Sequence, residues 1–229
     1  MVTWRVVPHL KPFRALRYDP GTVGPLDGVV SPPHDIVTPD RREALVTASP
    51  LNAVRLLNPE SPEEAARLLA AWQEEGALVR ESELAVWVLE ETFPGPDGGT
   101  RTRRGLVARA ALTPYSAGEV LPHERTFGSQ KDARLELLRA TRTKLSPIFL
   151  VHDGDSPEIP AREHDLEATL DGVKSRLWRV AGDDAIAAAL YAGARTQDLA
   201  RPGEVSIGTT EMGTRIVDLV LAEALEGLS

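Results

Sequence analysis

The stretch Leu84-Ala85-Val86-Trp87-Val88-Leu89-Glu90, followed by Pro94-Gly95-Pro96-Asp97-Gly98-Gly99 and then by the run at 105–112, decides the fold. Val86 and Val88 share one face of the first segment and Trp87 takes the other, the period of two that belongs to a strand. The Pro/Gly/Asp segment after it supplies turn chemistry, and the second run returns as another strand. Together they predict a β-hairpin.

Working outward from this hairpin, the chain alternates short β-type runs with helices. Upstream, 3–7, 13–16 and 29–30 read as strand-forming, the last stopped by Ser31-Pro32-Pro33, and 53–57 reads as a buried strand. Thr38 before Pro39 places a helix over 40–47, because proline is pre-organised for the first helical position. Ser61-Pro62-Glu63-Glu64 opens the clearest helix, with Ala65, Leu68, Leu69 and Trp72 on one stripe and Gly76 as its stop. Downstream, 131–143 reads as a helix, 146–151 and 176–180 as strands, and 183–191 and 214–225 as helices. The fold class expected is α/β or α+β, a mixed sheet with flanking helices and a helical C-terminal segment. An Asp- and Pro-rich linker at 153–160 suggests a first domain at 1–152. A shorter, partly helical segment at 153–229 would pack on it.

Composition narrows the chemistry. The 229 residues are 42% hydrophobic and 26% charged, an ordinary globular balance. With 26 Lys+Arg against 34 Asp+Glu the net charge is −8, the wrong sign for a protein that binds DNA by neutralising phosphates, so no DNA partner is expected. The chain has no cysteine, which excludes a thiol nucleophile, a disulfide framework and a thiolate-held metal. No apolar run approaches the roughly 20 residues that span a bilayer. The expectation is a cytoplasmic protein without a membrane partner.

Three clusters put polar residues inside apolar context. In Ser31-Pro32-Pro33-His34-Asp35 two prolines fix the backbone before an adjacent imidazole and carboxylate, a pair suited to acid/base work or to one edge of a metal site. A solvated turn is the plain alternative. In Asn52-Ala53-Val54-Arg55 a cation sits among apolar residues and needs a counter-charge. Asp35, Glu124 and a ligand phosphate are the candidates, and a structural salt bridge is the ordinary solution. The third cluster, Pro122-His123-Glu124-Arg125-Thr126 followed by Lys131-Asp132-Ala133-Arg134, is basic. From His123 to Lys144 there are six Lys/Arg and three Asp/Glu. At 100° per residue Lys131, Arg134 and Arg142 share a side of the helix, while Arg139 falls near Asp132 and Glu136. Gly128-Ser129-Gln130 before the helix would let its first N–H groups face an anion. Lys131 and Arg134 would supply charge, and Glu124 or Asp35 would hold a magnesium ion or take a proton. A solvated basic face is the alternative. The segment 208–215 has P-loop glycine spacing but no lysine, which argues against a P-loop.

Pro12-Phe13-Arg14-Ala15-Leu16-Arg17, Ser31-Pro32-Pro33-His34-Asp35-Ile36-Val37, and Asn52 with Arg55, Leu57 and Pro59-Glu60 form an ordered set of motifs. Leu121-Pro122-His123-Glu124-Arg125-Thr126, Lys131-Asp132 with Arg134-Leu135, Leu137-Leu138-Arg139-Ala140-Thr141 and Ser146-Pro147-Ile148-Phe149 continue it. In order and spacing these resemble the family called domain of unknown function 1015, over 3–190. The resemblance implies a fold in part like that of ParB and sulfiredoxin, whose relatives include CTP-binding partition proteins and a free serine kinase, and it suggests a link to serine metabolism. It implies a site for a nucleotide or phosphorylated metabolite, with phosphotransferase or phosphatase activity. The residues carried over are Asp35, His123 and Glu124 as catalytic candidates. His34, Asn52, Arg55, Thr126, Lys131 and Arg134 are carried over as ligand-binding candidates. The sulfiredoxin reaction needs a cysteine and is excluded. Members of the family carry an Asp-Gly-His-His-Arg motif where this chain has Tyr191-Ala192-Gly193-Ala194-Arg195. That departure keeps a non-catalytic regulatory or ligand-binding paralogue as the alternative. The sequence leaves substrate, metal and oligomeric state open, a homo-oligomer included.

Overall fold

In the computed structural model, the described residues are 10–118, 120, 128–151, 163–181 and 220–221. Short β1 (Leu10–Lys11) and β2 (Leu16–Tyr18) lead into α1 (Pro20–Val23), a 3-10 turn (Leu26–Gly28), α2 (Pro39–Ala48), α3 (Val54–Leu57) and α4 (Pro62–Glu74). After them come β3 (Leu78–Arg80), β4 (Ala85–Pro94), β5 (Thr100–Val107), β6 (Arg109–Ala110), α5 (Gly128–Thr141), β7 (Leu166–Leu170), β8 (Val173–Ala181) and β9 (Val220–Leu221). Every strand pairing among the described residues is antiparallel. The architecture is α+β, with α1 to α4 between β2 and β3 in the chain and α5 between β6 and β7.

The hairpin that opened the reading is β4–β5, with Trp87 opposite Val107 and Pro94 opposite Thr100. It extends through β8 and β7 to a four-stranded sheet ordered β5-β4-β8-β7. Thus 166–181, beyond the linker at 153–160, lies in the same sheet as the hairpin. A second sheet is ordered β3-β2-β9. A bridge joins the two sheets: Phe13, ahead of β2, and Ala85 of β4 exchange both backbone hydrogen bonds at 2.9 and 3.0 Å. The Glu81 N–H donates to the Ala15 carbonyl at 2.8 Å and continues the β2–β3 register.

Helix starts follow their local chemistry. Thr38 Oγ1 accepts the Arg41 N–H and Ser61 Oγ accepts the Glu64 N–H, each satisfying a donor that the first turn leaves unpaired. Ala65, Leu69 and Trp72 of α4 are buried in one core with Phe13, Leu16, Tyr18, Leu56, Trp87, Leu137 and Leu177. That core draws on both larger sheets, on α3, α4 and α5, and on the 3-10 turn. Val88, Trp178 and Val180 form a small cluster on the opposite face of the four-stranded sheet. Among the described residues no helix is long and apolar enough to cross a membrane.

Several expectations are corrected. The expected strand at 53–57 is instead the one-turn helix α3 (Val54–Leu57), with Ala53 as its N-cap. Asn52 Oδ1 accepts the Val54 N–H at 3.0 Å, which starts a turn, and a short apolar run suits either state once it is buried. Val29 and Val30 are buried but lie outside any strand, and Val29 instead accepts the Ala53 N–H at 2.7 Å. The run at 146–151 is irregular. Ile148 and Phe149 are 70% and 43% exposed, so no sheet draws these apolar side chains inward. Of the expected closing helix at 214–225 only Val220 and Leu221 are described, and they form β9 against β2. The expected strand at 3–7 and helix at 183–191 lie outside the described residues.

Candidate functional site

The site is built at the end of α3. This helix has one turn, so its last carbonyls have no intrahelical donors and must be met from elsewhere. Arg42, from α2, donates Nε to the Asn58 carbonyl at 2.7 Å. Arg134, from α5, donates Nη1 to the Leu57 carbonyl at 3.0 Å. Asn58 in turn donates Nδ2 to the His34 carbonyl at 2.9 Å, fixing the turn that follows the double proline. Three chain segments far apart in sequence therefore meet at the Leu57–Asn58 peptide.

His34 is half-buried at this junction, and its pKa is held below the ordinary 6.5. Burial is the largest cause and the Arg134 charge the next. Asp35 opposes them, and Lys144 adds to the lowering. The imidazole is accordingly neutral at pH 7, with one ring nitrogen a donor and the other an acceptor. Asp35 is exposed beside it.

Asn52 is 1% exposed and holds the local frame. Its Nδ2 donates to the Gly28 and Val30 carbonyls at 3.0 Å each, so its amide hydrogens are committed within the chain. Arg55 follows on α3. Its Nη2 reaches the Val46 carbonyl at 3.4 Å, while its Nε is buried without a hydrogen-bond partner. The structural salt bridge expected for Arg55 does not form among the described residues. Arg55 sits on a helix turn and not in a strand, and its reach is to a main-chain oxygen. Asn58 Oδ1 is likewise buried with no partner.

The helix carrying the basic cluster is α5, packed against α4 and anchored by Leu137. Lys131 is exposed on its first half. The grouping of Lys131, Arg134 and Arg142 on one helical face is corrected at Arg142. The helix ends at Thr141, and Arg142 takes φ 52 as its N–H closes on the Leu138 carbonyl. Arg139 makes no ion pair with Asp132 or Glu136 among the described residues. Their exposure leaves nothing to hold such a pair against side-chain entropy. His123, Glu124 and Thr126 lie outside the described residues.

The structure thus brings together His34, Asp35 and Arg134, while Asn52 is bonded to Gly28 and Val30 and Arg55 to Val46. It adds Arg42, Asn58 and Lys144, which the sequence reading did not place in the site. Among the described residues no group of three or more His, Asp or Glu side chains is arranged to hold a metal ion. Chemically the junction offers guanidinium and ammonium charge, a neutral imidazole and one exposed carboxylate. That combination can bind and orient an anion.

The model of the family described as "Protein of unknown function (DUF1015)" matches residues 10–199. No curated protein and no solved structure matches the chain.

Proposed function

The chain belongs to the DUF1015 family of proteins of unknown function, and from that premise we propose that the α3 junction binds the anionic group of a nucleotide or phosphorylated small metabolite. The single observation that carries this reading is the pair of cations, Arg134 of α5 and Lys144 of the segment after it, whose charges act on a neutral, half-buried His34. Arg42 of α2 and Arg134 also converge on the neighbouring carbonyls of Asn58 and Leu57. Phosphate chemistry asks mostly for positioning and charge stabilisation, and this residue set is of that kind. In the catalytic form of the proposal, phosphotransfer or phosphate hydrolysis, Asp35, His123 and Glu124 handle the proton or a magnesium ion, and Thr126 and Lys131 line the anion. A ParB/sulfiredoxin-like fold, a role in serine metabolism and a cytoplasmic location belong to the same proposal.

A second reading is a non-catalytic ligand-binding paralogue. It is favoured by one observation: Arg42 and Arg134 already donate to main-chain carbonyls, a positioning duty that does not need turnover.

Calorimetric titration with ATP, ADP and phosphoserine tests the binding. Lys131→Ala and Arg134→Ala are each expected to weaken it by about 1–3 kcal/mol, the range of a hydrogen bond to an ionised group. Arg139→Ala should leave it unchanged. Equal loss from all three would reduce the effect to a diffuse field, and no binding of any of these compounds would overturn the proposal. Turnover assays on the same compounds separate the two readings.

A further inference from the structure

The four-stranded sheet ends differently at its two edges. At β7 the Thr169 N–H donates to Asp27 Oδ1 of the 3-10 turn at 2.7 Å, and Arg41 of α2 pairs with Asp171 just past the strand. At β5 no further strand pairs among the described residues. Alternate residues of an antiparallel strand turn both backbone groups to one neighbour and then to the other. Ala85 exchanges its two bonds with Phe13 on the β5 side of β4, because Ala181 of β8 lies opposite it on the other side. Trp87, Leu89, Glu91 and Phe93 therefore face β5, and their partners Val107, Gly105, Arg103 and Arg101 face β4. The N–H and carbonyl groups of Thr100, Thr102, Arg104 and Leu106 point outward in the plane of the sheet. Among the described residues no backbone bond meets them, and Thr100, Thr102 and Arg104 are exposed.

On both faces of the sheet a row of side chains reaches this edge as a cation. Arg104 ends the alternating row Arg104–Glu90–Arg176–Glu167, and on the opposite face Arg103 ends the row through Glu91 and Ser175. Glu90 is shared between Arg104 and Arg176, and Arg104 commits only its Nε to it. The next position outward in each row calls for an acid. A second copy of this chain does not supply one: the antiparallel registers that overlap most of β5 set Arg103 against Arg103 or Arg104 against Arg104, and like charges directly opposite are destabilising. Arginines on an edge repel their own copy and attract an acidic strand. We propose that β5 is a docking edge for an extended acidic peptide, which adds one more strand to the sheet and sets carboxylates opposite Arg103 and Arg104. The outward main-chain groups supply the bonds, and the two cations, one on each face, select the charge.

The test titrates the full chain, followed by amide NMR, with a short blocked peptide of Thr, Val and Glu that has two adjacent Glu at its centre. The amides of Thr100, Thr102, Arg104 and Leu106 should shift and become protected from exchange, while those of Arg101, Arg103 and Gly105, already bonded to β4, gain no protection. A peptide with Lys in place of Glu should bind roughly tenfold more weakly, the combined effect of cross-strand charge pairs reversed in sign. The acidic peptide with N-methyl groups on alternate backbone nitrogens keeps its charge but cannot extend the ladder, and it should not bind. Thr102→Pro removes one outward N–H and should abolish docking. Where that variant fails to fold, the N-methylated peptide decides on the unaltered chain. Equal binding of the N-methylated peptide would reduce the effect to charge alone and overturn the proposal. So would equal binding of the Lys peptide, no binding at millimolar peptide, or shifts confined to the α3 junction. Concentration-dependent dimers in sedimentation that Thr102→Pro abolishes would make a second copy the occupant, which also overturns it.

Discussion

At the scale of single residues, His34 reports the electrostatics of the whole junction. Its pKa is lowered by burial, then by Arg134, with a smaller part from Lys144. Arg134→Ala should therefore move its titration upward, toward 6.5, and Lys144→Ala should move it less. NMR titration of the ring Cε1 proton measures both, and an unmoved His34 in Arg134→Ala would contradict the placement of that charge. The stability consequence has a definite sign. A histidine whose native pKa is depressed binds its proton more readily when unfolded. The native state is thus favoured above pH 6.5, and this part of its stability is lost as pH falls through the lowered native value. The legibility of these residues divides in a physical way. His34, Asp35 and Arg134 stood out because they interrupt apolar context or reverse the local charge. Arg42 and Asn58 did not, because their roles consist of long-range bonds to main-chain oxygens, which leave no pattern along the chain. Glu91 is another such case. It is 2% exposed in the middle of β4, paired with Arg103 at 2.5 Å, and burial raises its pKa against the pull of that partner.

At the scale of elements, the β7–β8 hairpin turns through Asp171 at φ 50 and Gly172 at φ 81, with Leu170 opposite Val173. Two central residues with positive φ form the turn type whose twist matches the strands, and Asp-Gly is among its preferred pairs. Gly172→Ala should destabilise the protein by roughly 1 kcal/mol, although a Cβ there would meet no atom within 4 Å. Gly105→Ala in β5 also meets nothing within 4 Å and has no positive φ, so it should be neutral or slightly stabilising. Chemical denaturation of both variants gives the contrast, and equal effects would contradict the backbone argument. The sequence reading recovered β4–β5 through its long Pro/Gly turn but overlooked β7, although Asp-Gly lay between alternating residues. The inward positions explain why. Ala168 and Ser175 face each other there and are fully buried, and small side chains dilute the hydrophobic period. On the other face, the row Arg104–Glu90–Arg176–Glu167 alternates charge across all four strands. Exposed pairs of this kind contribute little stability individually. They set register by disfavouring like charges in adjacent positions.

At the scale of the whole molecule, a surplus of acid coexists with a basic junction at α3, so the proposed anion site is local and not a property of the overall field. The core is similarly shared: Leu16 and Leu78 from one sheet pack with Trp87 and Leu177 from the other. The seam between those sheets has a kinetic consequence. The Phe13 and Ala85 amide protons are each donated to the other residue's carbonyl. Solvent can reach these protons only by parting the sheets, and parting them opens the common core. In deuterium oxide the amides of Phe13 and Ala85 should exchange with the same opening free energy as the amides at the centre of β4 and β8, one cooperative unit in place of two. Earlier exchange at the two seam positions, read residue by residue by NMR, would show that the smaller sheet detaches by itself. With the seam closed, heat or denaturant should melt the two sheets together.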